Sequence, residues 1–183
     1  GLRLALGGDF SAFPAAFQKA ELPQLLQKRG EWRMGILFRP MDTADIGSLR
    51  ELLEDDGMIY HPEYLNRFFA SPGACAFGAF EGKRPVGMAY CYLLPRPDGK
   101  TMFFLYSLGL LPAWQDRGIG TKFMAWLSDY AKNLGCSELF VITDKGNPRA
   151  CRVYEKAGGK SEYSDEIVYV IDYEKEKTGK DEM

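Results

Sequence analysis

A glycine-punctuated loop, Gln115-Asp116-Arg117-Gly118-Ile119-Gly120-Thr121-Lys122-Phe123, joins two segments of different character. Before it runs an apolar stretch, MFFLYSLGLLP, with the composition of a strand. After it comes IGTKFMAWLSDYAKNLG, in which Ile119, Phe123, Leu127, Tyr130, Ala131 and Leu134 share one helical face. A strand that turns through Gly-x-Gly straight into an amphipathic helix commits this part of the chain to an α/β arrangement. The turn also leaves free N–H groups at the helix start, a setting that favours an anion such as pyrophosphate. Gly118 and Gly120 lack the side chains that would block close approach to the backbone. Gln115, Arg117 and Lys122 add donors. The same glycines would equally serve a plain turn, and the loop alone does not separate the two readings. It is not a P-loop, because Thr121 and not a glycine stands directly before Lys122, and it is not a dinucleotide fingerprint, because Phe123 stands where the third glycine belongs.

The rest of the chain supplies the context. GILFRP reads as a first strand ended by Pro40. Asp42 or Thr43 caps a helix that puts Ile46, Leu49, Leu52 and Leu53 on one face. HPEYLNRFFAS gives a second short helix with Pro62 near its start. ACAFGAFEG and PVGMAYCYLL are strands joined by a tight EGKR turn, and RPDGK turns the chain into TMFFLYSLGLL. After the long helix, SELFVIT is a strand, NPRACRVYEKAGG a helix with Asn147 at its cap, and EIVYVIDY a last strand. The order β-α-α-β-β-β-α-β-α-β describes one mixed α/β domain over residues 34–175. Residues 1–33 read as an N-terminal extension or arm without the pattern of a signal peptide, and residues 176–183 as a charged tail.

Composition narrows the function classes. A net charge of −2 argues against a general nucleic-acid binder, which would carry a basic surplus. No apolar run reaches the roughly 18 residues that span a bilayer. Cys75, Cys91, Cys136 and Cys151 form no C-x-x-C pair, and His61 is the single histidine, so no metal site is expected. The cysteines read as reduced thiols of a cytoplasmic protein.

Two motifs carry a resemblance. SLGLLPAWQDRGIGTKF resembles the acetyl-CoA signature Gln/Arg-x-x-Gly-x-Gly/Ala of the GCN5-related N-acetyltransferases, the GNAT superfamily, with Gln115, Gly118 and Gly120 filling it and Pro112 at the loop proline. NPRACRVYEKAGG looks like the second signature, with Asn147, Ala150, Tyr154, Lys156 and Gly158 in place and Gly159 where an aromatic is usual. The resemblance covers residues 36–173. It implies a central, mostly antiparallel sheet with flanking helices, splayed between its fourth and fifth strands to admit an acyl-CoA. It further implies that Leu108, Gly109 and Leu110 offer backbone hydrogen bonds to the acetyl and pantetheine groups. Gln115, Asp116, Arg117, Gly118, Ile119, Gly120 and Thr121 would hold the pyrophosphate. Asn147 would contact the pantetheine arm or simply cap its helix.

Tyr154 is the candidate general acid, since a phenol can protonate a departing coenzyme A thiolate of comparable basicity. The competing reading is a core tyrosine beside Ala150 and Val153. A base is harder to place. A lysine-like amine, with a pKa near 10.4, costs about 4–5 kcal/mol to deprotonate at neutral pH. Yet MFFLYSLGLL holds no carboxylate, and Phe104 occupies the register at which histone-type relatives carry a glutamate. The candidates are remote: Asp144, Glu54, Asp55, Asp56, Asp165 and Glu166, which together suggest an acidic mouth for a cationic amine. Within the superfamily the chain is most similar to type I aminoglycoside 3-N-acetyltransferases, through EYLNRFF, FGAFEGKRPVGMAYCYLLP, LYSLGL and ITDKGNPRACRVYEKAG. Ser107 stands where those enzymes typically carry an aspartate. The expected partners are acetyl-CoA and a small amine, with neither nucleic acid nor membrane. A non-catalytic acyl-CoA-binding module is the alternative. A homodimer through Phe103, Tyr106 or the N-terminal arm is left open.

Overall fold

In a computed structural model, the structure describes residues 35–161 and residue 168. The expected last strand, Asp165, Glu166, the extension and the tail lie outside the described residues, apart from Val168. The elements run in order β1 (Ile36–Pro40), a 3₁₀ turn (Thr43–Ser48), α1 (Arg50–Asp55), α2 (Pro62–Ala70), β2 (Ala74–Glu81), β3 (Arg84–Pro95), β4 (Thr101–Leu110), a second 3₁₀ turn (Pro112–Trp114), α3 (Ile119–Asn133), β5 (Glu138–Val141) and α4 (Pro148–Lys156). The five strands form one sheet in sequence order, antiparallel from β1 to β4 and parallel between β4 and β5.

Alternation along the strands divides the core into two layers. Phe103 and Leu105 of β4, with Ala89 and Cys91 of β3, face α3 and join Ile119, Phe123, Leu127 and Tyr130. The six residues placed on the α3 face are all buried. Met124 and Trp126 are buried as well, which widens that face beyond the expected stripe. On the opposite side of the sheet, Leu49, Leu52 and Leu53 pack with Phe69 of α2 and with Ala76 and Phe80 of β2. Phe103, held open as a dimer contact, is a core residue with no exposed surface. All four cysteines are free thiols.

The first helix is split, contrary to the single helix expected. Asp42 caps it through Ala44 N at 2.8 Å, and Asp45 returns to Asp42 N at 3.1 Å, closing a capping box. Ser48 Oγ then donates to Asp45 O, a local bond that competes with helical continuation. Asp45 also takes both nitrogens of Arg39, at 2.8 and 2.6 Å, although it is only 9% exposed. That bidentate bond raises the Arg39 pKa further, against the opposing effect of burial. Asp45→Ala leaves a partly buried guanidinium unpaired and removes half the capping box. The expected loss is about 2–3 kcal/mol, read from the urea midpoint.

Two features of β4 position the site. The parallel register with β5 ends at Leu105–Val141, so from Tyr106 to Leu110 the outer edge of β4 has no strand partner among the described residues. The pairing with β3 also slips, Cys91 opposing Leu105 while Tyr90 opposes Ser107. Tyr106 is therefore the extra residue of a β-bulge, a device that bends a strand and re-aims its side chains.

Candidate active site

The loop from β4 to α3 turns in left-handed conformations at Asp116, with φ of 57°, and at Gly118, with φ of 78°. Glycine suits the second position, where any side chain would be strained. The helix has no side-chain cap. From Asp116 to Thr121 no backbone N–H finds an acceptor among the described residues. The first that does is Lys122, on Gly118 O at 3.2 Å. Consecutive unpaired N–H groups at the start of a 15-residue helix make a concavity suited to an anion.

Gly120 is informative for a different reason. A Cβ built there would meet only Leu110 and Val153, at 3.6 and 3.9 Å, which is ordinary contact. The fold itself does not require glycine at this position. Gly120→Ala is expected to stabilise the protein by about 0.5 kcal/mol, seen as a higher urea midpoint.

Gln115 makes two side-chain bonds within the chain. Its Nε2 donates to Leu110 O at 2.8 Å and its Oε1 accepts from Arg149 of α4. Arg149 also pairs with Asp116 at 3.2 Å. Both ends of the amide are engaged, so Gln115 ties the end of β4 to α4, with one of its two Nε2 hydrogens used. The Leu110 carbonyl is taken as well. Arg149 was missed in the sequence, and only its place one residue before Ala150 of the second signature could have drawn attention to it. Arg117 and Thr121 make no side-chain bond among the described residues, and Lys122 makes no ion pair there.

Asn147 caps α4, its Oδ1 accepting from Ala150 N at 3.0 Å. Tyr154 lies on the same helix, half-buried against the α3-side core beside Val153. Its hydroxyl makes no hydrogen bond among the described residues. Burial, then the nearby Cys151, push its pKa above the usual tyrosine value, so the phenol keeps its proton at neutral pH.

The structure separates the acidic candidates. Asp144 Oδ1 accepts from Gly146 N at 2.6 Å, forming its own turn. Glu54 and Asp55 line an open groove with Glu51, Arg84 and Trp114, whose buried indole Nε1 has no partner among the described residues. Asp56, at the end of α1, is the one whose charge acts on Tyr90 of β3. Partial burial first, and repulsion by Asp55 second, hold its carboxyl above the usual carboxylate range. Ser107 pairs with Tyr90 and so shares its face of the sheet.

These features can be compared with known proteins. The family model described as "Acetyltransferase (GNAT) family" matches residues 46–159, well over half of the chain. The chain belongs to the GNAT acetyltransferase family. It is an acetyltransferase, and the acetyl donor of the family is acetyl-CoA. Solved structures agree on the fold. An aminoglycoside acetyltransferase from an uncultured soil metagenomic sample, in complex with trehalose, has a TM-score of 0.64 at 20% identity, covering 75% of this chain and 97% of its own. An aminoglycoside N-acetyltransferase in complex with CoA has a TM-score of 0.63 at 18% identity, over 75% and 95% of the two chains. The ribosomal-protein-alanine N-acetyltransferase of Brucella melitensis biovar Abortus 2308 has 0.61 at 18% identity, over 74% and 99%. No curated protein matches the sequence significantly. In this GNAT chain, no described helix is long and apolar enough to cross a membrane.

Proposed function

We propose that the protein transfers the acetyl group of acetyl-CoA to the primary amine of a small acceptor, by direct attack while both are bound. The observation that carries the reading is the run of N–H groups from Asp116 to Thr121 that are unpaired among the described residues, beside a β4 edge with no strand partner among them. The loop would hold the pyrophosphate. Leu108 and Gly109 on the open edge would receive the pantetheine arm. Leu110 would contribute less, because its carbonyl is already bound to Gln115.

Acetyl-CoA supplies an activated thioester. In the transfer a carbon–nitrogen bond forms as the carbon–sulfur bond breaks, one proton leaves the amine and one reaches the sulfur. Tyr154 is assigned the second proton. Its free hydroxyl and raised pKa support the role. Asp56 is assigned the first, through water, because a carboxyl held above its ordinary range is a stronger base.

Calorimetric titration with acetyl-CoA, without any acceptor, tests the reading. Saturable binding is expected with a Kd of about 1–100 μM, the lower part of the usual substrate range. Absence of heat together with absence of a thermal shift would overturn it.

A further inference from the structure

The bulge gives β4 a second surface. Tyr106 projects on the α2 side of the sheet and stacks on Tyr90, ring centroids 5.1 Å apart and 26° from parallel. Tyr92 meets Tyr106 edge-to-face at 6.0 Å, and Phe104 lies 5.7 Å from it. Phe68 of α2 stands edge-on to Tyr90 and to Tyr92, at 6.2 Å from each. The result is an aromatic shelf that solvent reaches, Tyr106 being 57% exposed. None of the three tyrosine hydroxyls makes a hydrogen bond among the described residues. Ser107 and Gly109 continue the same face, opposite Tyr90 and Met88. A Cβ at Gly109 would meet nothing within 4 Å, so the shelf opens on free space along β4. The Tyr90 pKa is pushed up to about 12, by burial first, then by Tyr106 and by Asp56. The surroundings therefore disfavour negative charge and leave the ring neutral.

We infer that this shelf seats the body of the acceptor, and that the acceptor is an amine with a flat aromatic or apolar body. The inference rests on the acetyltransferase reading above and deepens it. Each ammonium taken out of water needs a partner charge. Asp56, whose charge acts on Tyr90, and Asp55, whose charge acts on Asp56, put carboxylates near the Tyr90 side of the shelf. Aromatic rings that solvent reaches suit a planar body, and the carboxylates suit the amine beside it. The shelf adjoins the open half of β4, which puts the bound amine next to the strand that would receive the acetyl group.

The test compares 2-phenylethylamine, ethylamine, spermidine and kanamycin as acceptors, by coenzyme A release at saturating acetyl-CoA. The expected kcat/KM for phenylethylamine is about tenfold or more above the other three, the scale of an apolar pocket's discrimination. Tyr106→Ala should raise KM for phenylethylamine about tenfold more than KM for ethylamine, while the Kd for acetyl-CoA holds. Tyr106→Phe should keep the parent KM. A preference for spermidine or kanamycin, or equal effects of Tyr106→Ala on both monoamines, overturns the shelf. Acetyl-CoA binding is measured in the same preparation. If it binds and phenylethylamine has no advantage, the shelf fails and the enzyme reading stands. If it does not bind, the enzyme reading fails and phenylethylamine titrated alone decides the shelf. Heat that is lost in Tyr106→Ala upholds it, and no heat rejects it.

Discussion

The Tyr154→Phe protein is expected to bind acetyl-CoA as the parent does and to turn over about 10²–10³ times more slowly, the range of a lost general acid. The phenyl ring keeps its packing beside Val153, so the melting temperature should hold. Only the proton is removed. Paired measurements, calorimetric Kd and steady-state kcat, separate this from a structural role. A tyrosine that merely fills the core would lose neither quantity in Phe. The pH profile adds a check with a definite sign. Because burial raises the Tyr154 pKa, the parent's kcat should decline on the alkaline side only above the ordinary tyrosine value of about 10. A decline centred well below that would assign the limb to another group.

The second large effect concerns the core under the loop. Phe123 has no exposed surface and lies against Phe38, centroids 5.0 Å apart and nearly parallel. Phe123→Ala should cost about 3–5 kcal/mol, from lost burial and the cavity left behind. In a chain of this size that is a fall of about 10–15 °C in Tm. The urea slope should stay constant if unfolding remains two-state. Phe123 stands one turn from Gly120, so the loss is felt where the glycine loop joins its helix. A change below about 1 kcal/mol would mean that the α3 layer repacks freely.

Much of this architecture was legible from local signals. Asp42 and Asn147 were readable as caps because short polar side chains satisfy helix N–H groups wherever they stand. The α3 face followed from helical spacing alone. The Gly-x-Gly loop was readable as a helix start with free backbone N–H groups, which the described residues show. What escaped depends on register. MFFLYSLGLL is apolar throughout, so nothing in it marks Tyr106 as the bulged residue, and without the bulge Tyr90, Ser107 and Gly109 cannot be assigned to one face. Gln115 read as a donor to a ligand because its link to Arg149 crosses 34 positions of sequence. The split after Ser48 came from a side-chain bond that competes with the backbone ladder, which hydrophobic spacing does not register.

The unpaired half of β4 has a consequence for how such a chain can change. Its edge presents main-chain N–H and C=O groups, which every residue but proline carries alike. Its two faces present side chains, one to the α3 core and one to the tyrosine shelf. Whatever docks along the edge is therefore indifferent to which residues stand at Ser107 or Gly109, so long as the strand stays extended. Substitutions on the shelf can be sampled one at a time, with the donor side held constant. A single strand thus separates what is inherited from what is adjustable. Two neighbours of the same fold, each about 20% identical to this chain, carry names with different acceptors, an aminoglycoside and a ribosomal-protein alanine.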